Sequence, residues 1–248
     1  MNKILDIDID FFMNKIFYKN KKLDKIADDY KFWDIEDIHS YLKINCNLEN
    51  KKHVGASFLK HVELFYYLRD LILSNKLEVP FDIIHIDSHA DLSYSFDLSG
   101  EFISQEWIYK SLKERIFPEN ISPKNSIYNS VRMDSTNFLY YMIACEWINS
   151  ITYVYNEDIY NHSYIDIPKL EEDYMSHLKK KGKLDLNCKI ISKNKDKQIS
   201  IDLKLISMSN FKLVEDVNFV FFTKSPEYTP ENRDNIFEQL VNDYIIKI

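Results

Sequence analysis

The chain opens on strict alternation. Residues 3–10, "KILDIDID", place an apolar residue between successive aspartates, the period-2 signature of a strand. The polar face carries only Asp6, Asp8 and Asp10, where a solvated strand would mix Thr, Lys and Ser. Residues 20–50 turn Lys- and Asp-rich, with helical spacing around "IEDIHSYL". Over 57–76, "SFLKHVELFYYLRDLILSNK", the period shifts to 3.6, and Phe58, Phe65, Leu68 and Ile72 form one stripe that also carries His61. The spacing predicts an amphipathic helix there. "PFDIIHID" (80–87) reads as a buried strand, "TNFLYYMIACEWI" (136–148) as a helix and "ITYVYN" (151–156) as a strand. Between about 165 and 200 the Lys-rich text predicts an exposed excursion, a helix and hairpin. "NFVFFTK" (218–224) reads as the last strand. A closing helix follows, with Thr229 as N-cap, Pro230 in its first turn and Glu231 favouring its dipole.

Strands alternating with helices predict an α/β fold with a largely parallel sheet, and 248 residues suffice for one domain, 1–248, with a substantial core. In such folds sites lie at the carboxyl ends of strands, where 8–10 and 87–91 fall. A composition 45% hydrophobic and 15% aromatic excludes a disordered chain. With three glycines in all, no phosphate-cradling loop can be written. The net charge of −7 argues against nucleic acid as a partner and is compatible with a cationic ligand. Cys46, Cys145 and Cys188 are scattered, as reduced thiols are. Carboxylates interrupt the apolar N-terminus, and "FLYYMIACEWI" is too short to span a bilayer, so the expected location is the cytoplasm, away from membranes. Oligomeric state is not fixed by the sequence.

"DIIHIDSHADL" (82–92) puts Asp87, His89 and Asp91 at every second position where an apolar strand runs out. In extended backbone their side chains project to one side and can converge on a metal; the bland alternative is a loop in which Asp caps a helix. Three same-face aspartates on the first strand repel one another and are costly to desolvate without cations or shared protons, unless that strand is a solvated edge. Together the clusters suit oxygen-rich divalent ions, Mn²⁺ above all, and two ions would offset the charge and lower the pKa of a shared water. His61 is a further candidate ligand, or a core histidine. Glu63 is a carboxylate able to hold a cationic group. His85, two residues before Asp87, is a candidate proton donor or a buried structural histidine, and Tyr228 is placed to line the pocket.

Taken together, "ILDIDIDFF", the HxE of "HVE", "PFDIIHIDSHADL", "NFLYYMIACEWI" and "SPEYTP" resemble the peptide arginases, arginase-related proteins that act on ribosomally made peptides. The likeness runs in patches from residue 3 to the C-terminus and is weakest over 165–210. "HIDSHADL" is similar to the DAHxD motif of arginases and agmatinases, and the order of motifs is permuted relative to them. The resemblance implies a three-layer α/β/α arginase-like fold, a two-manganese centre, and hydrolysis of arginine side chains in a precursor peptide to ornithine and urea. It implies Asp87, His89 and Asp91 as the first metal motif, Asp8 and Asp10 as the second with Asp6 the alternative, and His61 as the histidine completing one ion. Members often read "HHDE" where this chain has Lys60 and Val62 around His61, and "SPGYTP" where it has Glu227. A haloacid-dehalogenase-like phosphatase, on the strength of the first strand, and a non-catalytic peptide-binding partner are the alternatives.

Overall fold

The least polar strands take the middle of the sheet, because a parallel strand covered on both faces must be apolar on both. The structure, a computed structural model, describes residues 1–14, 31–49, 51–93, 98–157, 183–230 and 233–247. Its strands are β1 (Lys3–Asp8), β2 (His53–Phe58), β3 (Phe81–Ile86), β4 (Ile148–Tyr155), β5 (Lys183–Ile191), β6 (Gln198–Ser207), β7 (Phe219–Thr223) and β8 (Ile245–Lys247). They form one eight-stranded sheet in the order β5-β6-β4-β3-β1-β7-β2-β8, parallel throughout except for the β5–β6 hairpin. The helices are α1 (Ile35–Ile44), α2 (Glu63–Leu73), α3 (Ser99–Gln105), α4 (Leu112–Arg115), α5 (Phe138–Ala144) and α6 (Asp234–Tyr244). Among the described residues no helix is long and apolar enough to cross a membrane.

Strand parity sorts the core into two clusters. Ile4, Ile83, Phe219 and Phe221 pack with Phe65 and Leu68 of α2 and with the whole of α5. Their neighbours Leu5, Ile7, Ile84, Ile86, Val220 and Phe222 pack with Ile38 and Leu42 of α1 and Leu240 of α6. Helices therefore cover both faces, and each large apolar side chain so buried stabilises the fold by about 1.5–3 kcal/mol. Asp6 and Asp8 share the face of Ile4, so they point towards α2 and α5.

Several expectations need correction. The helix predicted over 57–76 begins only at Glu63; Ser57 and Phe58 end β2, and His61 lies in the turn between them. Gly55 explains the strand: a Cβ there would sit 1.7 Å from the carbonyl oxygen of Val220, so only glycine lets β2 lie this close to β7. Asp10 has left the strand for a 3-10 turn, Ile9–Phe12, and β3 ends at Ile86, so Asp87, His89 and Asp91 stand on a bend and not on extended backbone. The part of the predicted excursion up to 182 lies outside the described residues. From Lys183 onward it is β5 and β6, whose Cys188, Ile190, Ile201, Leu203 and Leu205 enter the core, so it belongs to the sheet. β7 is not the last strand, since β8 follows. The last helix starts at Asp234 after Arg233, with Thr229 buried in the preceding turn; Glu231 lies outside the described residues.

Candidate metal centre

β1 hands the chain on to β2 on one side of itself, while β3, its neighbour on the other side, leads away to β4. That reversal opens a crevice at the carboxyl ends of β1 and β3, where ligands bind in open α/β sheets. Into it β1 delivers Asp6 and Asp8, the following 3-10 turn Asp10, the β2–α2 turn His61, and β3 with its bend His85, Asp87, His89 and Asp91. Asp91 takes a left-handed conformation (φ 50°), tolerated by aspartate better than by most residues. All of these except His89 are buried.

The side chains converge in two groups. His61 Nδ1 lies 3.0 Å from Asp87 Oδ2, 3.0 Å from Asp91 Oδ2 and 3.4 Å from Asp8 Oδ2. His89 Nδ1 lies 3.1 Å from Asp10 Oδ2 and 3.6 Å from Asp87 Oδ1. Asp87 thus turns one oxygen to each group. Asp6 stands behind the first: it accepts from His61 Nε2 at 2.8 and 2.9 Å and from His85 Nδ1 at 2.8 Å. His85 Nε2 in turn donates to the carbonyl oxygen of His89 at 3.2 Å.

This donor set fits divalent metal. His61 Nδ1, Asp91 Oδ2 and Asp10 Oδ2 are buried with no hydrogen-bond partner among the described residues, although each lies close to an atom of the opposite kind. The contacts are short but misaligned for hydrogen bonds. With Nε2 donating to Asp6, a neutral His61 turns a bare lone pair on Nδ1 towards three carboxylates. A cation between them removes the repulsion. Octahedral ligands about 2.1 Å from an ion stand about 3 Å from their neighbours, the spacing found around His61 Nδ1.

The electrostatics express the same shortage of positive charge. Burial, then the charges of Asp10 and Asp87, push the Asp8 carboxyl well above its usual range. Burial and Asp87 raise Asp10 likewise, and raise Asp91 to about 6. For Asp6 burial acts upwards too, but His61 and His85 reverse it and hold the carboxyl low. The close imidazoles of His61 and His89 do the same for Asp87. The three imidazoles shift the other way: burial pulls each down, and the facing carboxylates, Asp6 for His61 and His85 and Asp10 for His89, lift each above the ordinary histidine value. Five carboxylates face three imidazoles, so protons or cations must supply the balance.

Of the residues singled out in the sequence, Asp8, Asp10, Asp87, His89, Asp91 and His61 come together in the two groups. Asp6 and His85 lie within metal-ligand reach of His61, and His85 also of Asp87 and Asp91. Asp6 is better placed as the partner that fixes His61 than as a ligand in its own right. His85 is fully buried beneath the cluster with both ring nitrogens engaged, which suits it to orientation and not to proton delivery from solvent. Glu63 is exposed and lies outside the cluster, its carboxylate accepting from the backbone N–H of Leu59 at 3.0 Å and Lys60 at 3.4 Å. It shapes the turn that carries His61. The two charged departures in the resembling motifs face each other at the rim, Lys60 Nζ 3.8 Å from Glu227 Oε1.

Three supporting residues escaped sequence reasoning. The Ser225 hydroxyl donates to Asp8 Oδ2. Ser88 donates its hydroxyl to the Asp10 carbonyl oxygen at 3.0 Å and its N–H to Asp10 Oδ1 at 3.4 Å. Asn156 donates to the carbonyl oxygens of Phe11 and Met13, pinning the turn that presents Asp10. Asn156, a polar residue at the carboxyl end of "ITYVYN", was the one visible signal.

No family model matches the chain, and a search of curated proteins found no significant match.

Proposed function

We propose that the chain is a single arginase-like domain that binds two Mn²⁺ ions and hydrolyses the guanidinium group of arginine within a ribosomally made peptide, leaving ornithine and releasing urea. The observation that carries this reading is the pair of ligand groups sharing Asp87 at the switch point of the sheet. It adds a geometric reason to the motif resemblance. His61, Asp8, Asp87 and Asp91 would hold one ion, and Asp10, Asp87 and His89 the other. When bound, the metals supply the positive charge that makes water nucleophilic near neutral pH.

The protein's own groups do the rest. Asp6 and His85 lock the His61 ring, and Ser225 fixes one oxygen of Asp8. Asp91, at 8% exposure the least buried of the carboxylates, is the group to carry the proton that water gives up and the leaving amine takes. A surplus of carboxylate favours a cationic side chain, consistent with the net charge of −7. Three buried, unpaired cysteines suit action in the reducing cytoplasm. The test is incubation of the manganese-loaded protein with an arginine-containing peptide, read by peptide mass and urea. Arginine becomes ornithine, and lysine, which offers no electrophilic carbon, is untouched. Intact arginine with both metals bound removes the substrate assignment.

A further inference from the structure

The imidazoles of the two ligand groups, His61 and His89, are held in different ways. His61 turns Nδ1 inward and anchors its outer nitrogen on Asp6. His89 also turns Nδ1 inward, towards Asp10 and Asp87, but its outer nitrogen, Nε2, is buried and has no hydrogen-bond partner among the described residues. Metal-binding histidines nearly always use that outer nitrogen to fix the ring on a carboxylate, carbonyl or water. His89 is also the least buried member, its side chain 21% exposed against 1% for His61. Its ring needs another restraint.

Tyr228 provides one. Its ring centroid stands 4.3 Å from that of His89 with the planes tilted by 37°, within the range of ring stacking. The loop beneath is fastened. The N–H groups of Tyr228 and Thr229 both donate to the Ser225 carbonyl oxygen at 2.9 Å, Ser225 adopts φ 45°, and its hydroxyl is tied to Asp8. One short loop after β7 therefore grips a carboxylate of one ligand group and the imidazole of the other.

We infer that Tyr228 is the positioning residue for His89, holding the imidazole through ring contact in place of a hydrogen bond, so that the second ion binds tightly only when an aromatic ring stands at 228. The inference rests on the two-metal reading and adds which residue sets the second affinity. The experiment is manganese titration of the wild type, Tyr228→Phe and Tyr228→Leu, followed by electron paramagnetic resonance, which separates a spin-coupled pair from an isolated ion. Wild type and Tyr228→Phe should both bind two ions and give the coupled spectrum. Tyr228→Leu should keep the first ion at unchanged affinity and bind the second about tenfold more weakly or worse, with the isolated-ion spectrum at low loading. A merely structural role would instead lower the melting temperature of the metal-free protein and weaken both ions together. Full second-ion affinity in Tyr228→Leu, or equal loss in Tyr228→Phe, overturns the inference while leaving the two-metal reading intact. A wild type that binds no manganese removes both.

Discussion

Asp6 bears two imidazoles on one fully buried carboxylate, which makes it the most informative single residue of the centre. Asp6→Asn keeps the shape and removes the charge that orients His61. The expected result is a loss of about 10–100-fold in manganese affinity, the size typical of a group behind the ligands, measured by competition with a chelator. Complete loss of one ion would make Asp6 a direct ligand instead. Protons and metal also compete here. Asp8 and Asp10 hold protons above the ordinary carboxylate range, and Asp91 does so to about 6. Raised carboxyl values mean that a cation must displace protons, so manganese affinity should fall as pH drops through about 6. Calorimetry in buffers of different ionisation enthalpy should show proton release; identical heats in every buffer would contradict it. The clustering of these residues was legible in the sequence because alternating aspartates on an apolar strand are costly to bury without opposite charge beside them. The roles of Asp6, Glu63 and His85 were not, because period-2 spacing says which face a side chain takes and nothing about what meets it there.

At the scale of elements, β2 matters most, since it aims the turn that carries His61. It was hidden in the sequence. "HVGASF" offers few strand-forming residues, and its last apolar residue, Phe58, fell by coincidence on the helical stripe of α2. What makes it a strand is tertiary: parallel pairing with β7 at a distance only Gly55 permits. Gly55→Ala should therefore destabilise the protein by about 3 kcal/mol, the upper end of overpacking costs, and reduce metal affinity because His61 is displaced. Chemical denaturation reads the first effect; a change within about 0.5 kcal/mol of wild type would show that the strand yields without strain. The β5–β6 hairpin was expected as a hairpin, but as an exposed excursion and not as part of the sheet, for a related reason. Lys183, Asp185, Asn187 and Lys189 point outward along the sheet edge, and such charged edges read as wholly exposed although they guard a strand against pairing with another chain. Thr229 looked like a helix cap because "TPE" is a common helix start, yet its hydroxyl is buried in the turn before Arg233.

For the whole molecule, the sheet order explains why motifs far apart in sequence make one centre. The chain reverses direction across β1 and β3, and the clustered Asp and His side chains all lie towards or beyond the carboxyl ends of β1, β2 and β3, with Ser225 and Tyr228 just after β7. Alternation predicted a parallel α/β sheet, but strand order is set by long-range pairing that no local pattern records. The central claim is that this crevice holds two ions that share Asp87, and elemental analysis after manganese loading and desalting tests it most directly. The expected result is two ions per chain in the wild type, one in His61→Ala, one in His89→Ala, and a severe loss of both in Asp87→Ala, whose oxygens face each group. A wild type that retains no divalent metal, or an Asp87→Ala variant that still retains both ions, would contradict it.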